Sequence, residues 1–199
     1  MFDTCWTNTV LCVGGSTTLG VRSTRAYPEH LAEALRAGGR PGALVANRGV
    51  AGARLLDVLR RLPADLQAVP RPAVLVVHVP LHDARGGGTP PSELAVLLGQ
   101  VLAWGREHCG EVVVCTPTPV GSAPLAPARG FARPARRWVA KGAHVARTVA
   151  ADHGVTLVDW SGMPRELLAD VAHPGPRGHG WLAEQLAPAV LGALERVLG

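Results

Sequence analysis

The sequence is poor in aromatic residues and cysteine, carries almost no lysine, and has no long apolar run. Aromatics make up 4% of its 199 residues, so Ala, Val and Leu must supply most of a core. No apolar stretch approaches the roughly 20 residues needed to span a bilayer. Met1 to Val10 shows no cationic segment followed by an apolar one, so no secretory leader is expected. The four cysteines are Cys5, Cys12, Cys109 and Cys115, and no pair has metal-ligand spacing. Cys12 and Cys115 fall inside apolar runs, where a reduced cysteine acts as a small hydrophobe. These features point to a cytoplasmic protein with free thiols, without metal or cofactor. Lys+Arg exceed Asp+Glu by 20 to 15, for a net charge of +5. No basic run has interleaved aromatics, so nucleic acid is not an expected partner. An arginine-rich solvated surface accounts for the excess, and an anionic small-molecule substrate is the next reading.

Hydrophobic residues make up 47%, enough to fold. Gly (24) and Pro (17) are frequent without a period, which argues for many tight loops. The length suits a single domain over residues 1–199.

Short apolar runs alternate with amphipathic stretches. Strands are expected at residues 9–13, 43–46, 73–77, 111–115 and 155–158. Helices are expected at residues 28–36, 53–62 (stopped by Pro63), 92–107 (capped by Ser92), 134–152 and 180–198. The run at 73–77 is apolar throughout, as strands buried on both faces tend to be. Five alternations predict an α/β fold: a three-layer α/β/α sandwich around a five-stranded parallel sheet. Residues 116–134 form the longest irregular stretch, and loops of that length often bind ligands.

Ligands bind at the carboxyl ends of strands in such sheets. Three chemically useful segments fall there: Gly14-Gly15-Ser16-Thr17-Thr18-Leu19-Gly20, Asn47-Arg48-Gly49-Val50-Ala51-Gly52 and Pro80-Leu81-His82-Asp83. A fourth, Asp170-Val171-Ala172-His173-Pro174, precedes the last helix. Ser16 sits in a glycine-rich turn that can expose its hydroxyl and aim its N–H at a bound oxygen, although serine also makes an ordinary N-cap. Asp170 and His173 are separated by two residues, so on a turn the carboxylate can orient the imidazole toward a serine. Gly49 allows close approach of backbone to ligand. Asp152-His153 and Asp159 are competing acid–base positions without a serine-bearing turn beside them.

Together these segments resemble the GDSL/SGNH hydrolase family over the whole length of the chain. The first resembles its Gly-Asp-Ser-Leu turn, the second its Asn-x-Gly-x-x-Gly segment, and Asp170-x-x-His173-Pro174 its last conserved segment. The resemblance implies a flavodoxin-like fold and acyl chemistry without a metal. It makes Ser16 the nucleophile and first oxyanion-hole donor, Gly49 the second donor, His173 the base and Asp170 its orienter. Two positions depart. Gly15 replaces an Asp that mainly supports the turn. His82 stands where the family has Asn, and a neutral imidazole donates only in the right tautomer. Loss of one such donor typically costs about 3–4 kcal/mol.

Three functions are compatible with this reading: a serine esterase, an acyltransferase of the same fold, and a binding module weakened at His82. Asp83, Arg133, Arg137 and Trp138 are candidate substrate contacts. Arg129, Arg133, Arg136 and Arg137 could hold the anionic part of an acyl carrier or coenzyme-A thioester, or simply lie in solvent. The expected partner is a small ester or acyl substrate.

Overall fold

A computed structural model of the chain describes residues 5–122 and 126–199 and, within 126–131, the backbone alone. Five parallel strands form one sheet: β1 (Thr7–Gly14), β2 (Leu44–Gly49), β3 (Pro72–His78), β4 (Glu111–Cys115) and β5 (Thr156–Val158). They lie in the order β2-β1-β3-β4-β5. The helices are α1 (Ser16–Leu19), α2 (Tyr27–Ala37), α3 (Leu55–Ala68), α4 (Pro91–His108), α5 (Ala126–Asp152) and α6 (Pro176–Leu198).

Side chains alternate across each strand. Leu11, Val13, Leu75, Val77, Val112 and Val114 pack against α3, α4 and α5. Val10, Cys12, Val74, Val76, Val113 and Cys115 pack against α2 and α6. Every residue of β3 is buried, as its unbroken apolar run predicts. Tyr27 and Trp160 meet edge to face at 4.9 Å in the second layer, against which Trp6 and Trp181 also pack. The four cysteines are free, and burial pushes the thiol of Cys109 up to about 12.

Several element boundaries differ from expectation, and three of the differences involve a proline within or opening a helix. Pro63 does not stop α3. It forgoes one backbone hydrogen bond, but the buried Leu62, Asp65 and Leu66 keep the following turn in place. Ser92 does not cap α4; Pro90 holds the cap position and Pro91 opens the helix, where a missing N–H costs nothing. Pro134 lies inside α5, because its buried face already includes Ala132 upstream and continues through Ala135 and Val139. The irregular stretch expected at 116–134 therefore gives way to helix from Ala126; residues 123–125 of it lie outside the described residues.

The strand register brings the reactive segments to one edge. Gly14 pairs with Gly49, and His78 with Cys115. His78 and His179 are fully buried behind that edge. Burial, reinforced by the charge of His179, pushes the pKa of His78 down to about 3. Burial, then the charges of His30 and His173, pushes His179 down to about 4.

Both imidazoles stay neutral in the folded protein, whereas an unfolded histidine titrates near ~6.5. Below that pH the unfolded chain binds protons that the folded chain refuses. Stability is therefore complete above about pH 6.5 and falls as the pH drops toward 4, with a slope approaching ~2.7 kcal/mol per pH unit for two histidines. Urea midpoints measured between about pH 7 and pH 4.5 check this. His78→Leu should roughly halve the slope; an unchanged slope would remove His78 as a source.

Candidate active site

Gly15 takes the cap position of α1, leaving Ser16 as the first helical residue. The turn can form only because two strand ends lack side chains. A Cβ on Gly14 would lie 2.2 Å from Thr18 Oγ1, and one on Gly49 would lie 2.1 Å from the Leu19 nitrogen. The sheet end thus accepts the short helix in van der Waals contact and fixes the height of Ser16. From α3, Arg61 donates to the Gly14 carbonyl at 3.0 Å. The buried Asp65 holds both Arg61 and, at 2.8 Å, Arg48 of β2.

Opposite Ser16, the loop before α6 is closed by Ala169 N–H donating to the His173 carbonyl and Gly175 N–H donating to the Leu167 carbonyl, both at 2.8 Å. Asp170 Oδ1 accepts from the N–H groups of Ala172 and His173, each at 2.8 Å. Its Oδ2 lies 2.9 Å from His173 Nδ1 and accepts from Arg22 Nε at 3.2 Å. His173 Nε2 lies 3.1 Å from Ser16 Oγ. Partial burial works to raise the pKa of Asp170, but the hydrogen bonds from Ala172 and His173 outweigh it and bring the pKa to about 2. The carboxylate is therefore ionised at neutral pH. In the tautomer that keeps its proton on Nδ1, His173 offers Nε2 as the acceptor for the Ser16 hydroxyl.

A cavity of about 280 Å3 opens over this line, bounded by Ser16, Leu81, His82, Arg85, Val171, Ala172 and His173. His82 belongs to a one-turn 3-10 helix, Leu81–Ala84, that follows β3. Burial first, then the charges of Arg85 and Arg54, lower its pKa and favour the neutral ring. Among the described residues, no cluster of three His, Cys, Asp or Glu could hold a metal ion.

Several sequence-based candidates take other places. The Gly49 N–H is not aimed at the cavity but donates to Asn47 Oδ1 at 3.0 Å. Asp83 is not a substrate contact: it is buried, accepting from Leu55 N–H at 2.8 Å and Thr89 Oγ1 at 2.7 Å. Trp138 is likewise buried and donates to the Thr89 carbonyl at 3.1 Å. Arg133 and Arg137 are exposed on α5 and do not line the cavity. Arg136 donates to the Gly121 carbonyl at 2.7 Å, and the side chain of Arg129 lies outside the described residues. Asp159 is engaged by Thr116, Ser161 and Arg147. Arg85, Leu81 and Val171 were not singled out from sequence. The segment Pro80-Leu81-His82-Asp83 ends two residues before Arg85, and only the path of the loop shows that Arg85 returns to the cavity.

Residues 12–181 match the model of the GDSL-like lipase/acylhydrolase family. No curated protein matches the chain. Three similar solved structures share its fold. A lipase/acylhydrolase from Enterococcus faecalis is 21% identical, with a TM-score of 0.76 over 92% of this chain and 95% of that one. A carbohydrate acetylesterase family member from Sinorhizobium meliloti is 18% identical, with a TM-score of 0.81 over 94% and 99%. An acetylxylan esterase from Geobacillus stearothermophilus is 18% identical, with a TM-score of 0.72 over 97% and 96%.

Asp83→Ala tests the supporting role assigned to that carboxylate. It leaves the Leu55 N–H and the Thr89 hydroxyl without their partner, at about 1–3 kcal/mol for each buried group. Urea denaturation should show a loss in that range. A loss no larger than that of Glu93→Ala would mean that Asp83 does not anchor the loop.

Proposed function

The chain belongs to the GDSL-like lipase/acylhydrolase family, and from that premise we propose that it hydrolyses a carboxylic ester of a small molecule through an acyl-enzyme on Ser16. The observation that carries this reading is the unbroken line from Asp170 through His173 to Ser16 Oγ, with no contact longer than 3.1 Å.

Ser16 Oγ attacks the ester carbonyl carbon while its proton passes to His173 Nε2. Asp170 stabilises the imidazolium without taking the proton. The carbonyl π electrons become the oxyanion, which the Ser16 N–H and one ring N–H of His82 stabilise. Collapse of this intermediate breaks the bond to the alcohol oxygen, and the imidazolium protonates that oxygen as it leaves. Water then attacks the acyl-enzyme carbonyl, gives its proton to His173, and releases the acid and free Ser16.

The donor expected of Gly49 passes in this reading to Gly52, three residues along. Gly52 has a φ of +77° and open space on its side-chain face. Among the described residues its N–H has no partner. Its neighbour Ala53 abuts the nucleophile turn, with its carbonyl 3.3 Å from a Cβ placed on Gly15.

Hydrolysis is favoured over transfer because Asp170 and His173 keep 30% and 24% side-chain exposure, so water reaches the acyl-enzyme. The intact Ser16–His173–Asp170 line argues against a module that only binds. Leu81, Val171 and Ala172 give the cavity an apolar lining suited to a short acyl group. Acetyl is a reasonable first choice, since similar structures include acetyl esterases.

A fluorophosphonate probe should label the wild-type protein and fail to label Ser16→Ala. Persistent labelling of Ser16→Ala would assign the nucleophile elsewhere. His82→Ala should lower kcat on 4-nitrophenyl acetate by about 10²–10³, the usual cost of one oxyanion donor, and His82→Asn should restore most of it. Equal rates for wild type and His82→Ala would remove His82 from the oxyanion hole.

A further inference from the structure

The cavity wall includes an arginine that pairs with no carboxylate among the described residues. Arg85 lines the cavity together with Ser16 and His82, and its guanidinium makes no ion pair among the described residues. Arg54, at the start of α3, lies next to it and donates to the Arg85 carbonyl at 3.3 Å; it too has no ion pair among the described residues.

The nearby carboxylates are engaged elsewhere. Asp83 is turned inward to Leu55 and Thr89. Asp57 accepts from the Arg54 backbone N–H at 2.9 Å. Asp170 is held by His173, by Arg22 and by its own loop. Burial is the largest cause of the depressed pKa of His82; Arg85 and Arg54 add to it, and Asp83 and Asp57 oppose them.

Arg85 is also held in place. Asp83 and Thr89, on either side of the 85–88 loop, are bonded backbone to backbone at 2.7 Å and side chain to side chain at 2.7 Å. Gly88 packs so closely on Trp138 that a Cβ there would meet the indole at 2.9 Å. The loop base is therefore pinned from α3 and α5, and the arginine is presented from a fixed point.

We propose that Arg85 is a specificity-determining residue that selects esters bearing an anionic group away from the scissile bond, and that the natural substrate carries a carboxylate or phosphate there. This rests on Ser16 acting as the nucleophile of the same cavity. A guanidinium offers two parallel N–H donors to such an oxyanion group; Arg85 is exposed, so salt screens the pair in part. With the reacting carbonyl at Ser16, the anion extends across the cavity toward Arg85, clear of Asp170.

Three matched ester sets test this with the full chain. One compares 4-nitrophenyl acetate with the 4-nitrophenyl half-ester of succinic acid. A second compares methyl 4-acetoxybenzoate with 4-acetoxybenzoate. The third compares 4-acetoxyphenyl methyl ether with 4-acetoxyphenyl phosphate. The quantity read is the ratio of kcat/KM, charged over neutral. In at least one set, Arg85→Ala should lower this ratio by about tenfold or more, the size of one charge-assisted hydrogen bond. Arg85→Glu should lower it further, Arg85→Lys should keep part of it, and about 0.5 M NaCl should shrink the wild-type ratio. The set that responds tells carboxylate from phosphate and the acyl side from the alcohol side.

Calorimetric binding of the charged esters to Ser16→Ala protein, with and without Arg85→Ala, gives a readout that needs no chemistry. Ester turnover whose charge ratios are the same in wild type and Arg85→Glu would overturn the inference and leave the esterase reading standing. Arg85-dependent binding without any turnover by the wild type would overturn the esterase reading and leave the anion site standing. Neither binding nor turnover would overturn both.

Discussion

The contact between the first turn of helix and two bare strand ends governs the geometry of this molecule. Gly14 and Gly49 are register partners on neighbouring strands, and α1 rests on both. A methyl group at either position would overlap Thr18 or Leu19. With nothing to hold it off, the helix sits on the sheet, and Ser16 comes within hydrogen-bonding distance of an imidazole on a loop contributed by the other end of the chain. A shift of a single side-chain layer would part Ser16 from His173, since their contact is already 3.1 Å.

Two polar anchors keep that contact from drifting, both using buried carboxylates. Asp65 ties the carbonyl before the Ser16 turn, through Arg61, to β2, through Arg48. Asp83 ties the loop bearing His82 and Arg85 to the start of α3 and to Thr89. Each carboxylate is shielded from solvent and satisfied by more than one donor, the condition under which a buried charge is tolerated. Both act through α3, so the helix behind the site positions two of its walls.

The parallel sheet, its layers and the proximity of Ser16, Asp170 and His173 were legible in the sequence because each rests on a local pattern. Apolar runs ending in glycine read as strands, and two residues between Asp and His fit one turn. The prolines misled because their effect depends on burial: Pro63 and Pro134 lie in helices whose packed faces outweigh one lost hydrogen bond. Gly49 reads as an oxyanion donor and Asp83 and Trp138 as substrate contacts, whereas their partners lie within the protein. A sequence shows that an Asp follows a His; it does not show that a backbone N–H from 28 residues earlier claims that carboxylate. Arg85 escaped notice for the same reason, since an arginine before three glycines has no local mark of facing a cavity.

Ser16 and His173 are 157 residues apart in sequence, and that separation has a consequence during synthesis. The ribosome delivers the hydroxyl first and the imidazole only after β5 and the loop behind it have been made. Until α6 folds against the sheet, the emerging chain carries a serine with no base beside it. The contact between Ser16 and His173 thus forms only after the loop before α6 has been made and has packed beside the sheet.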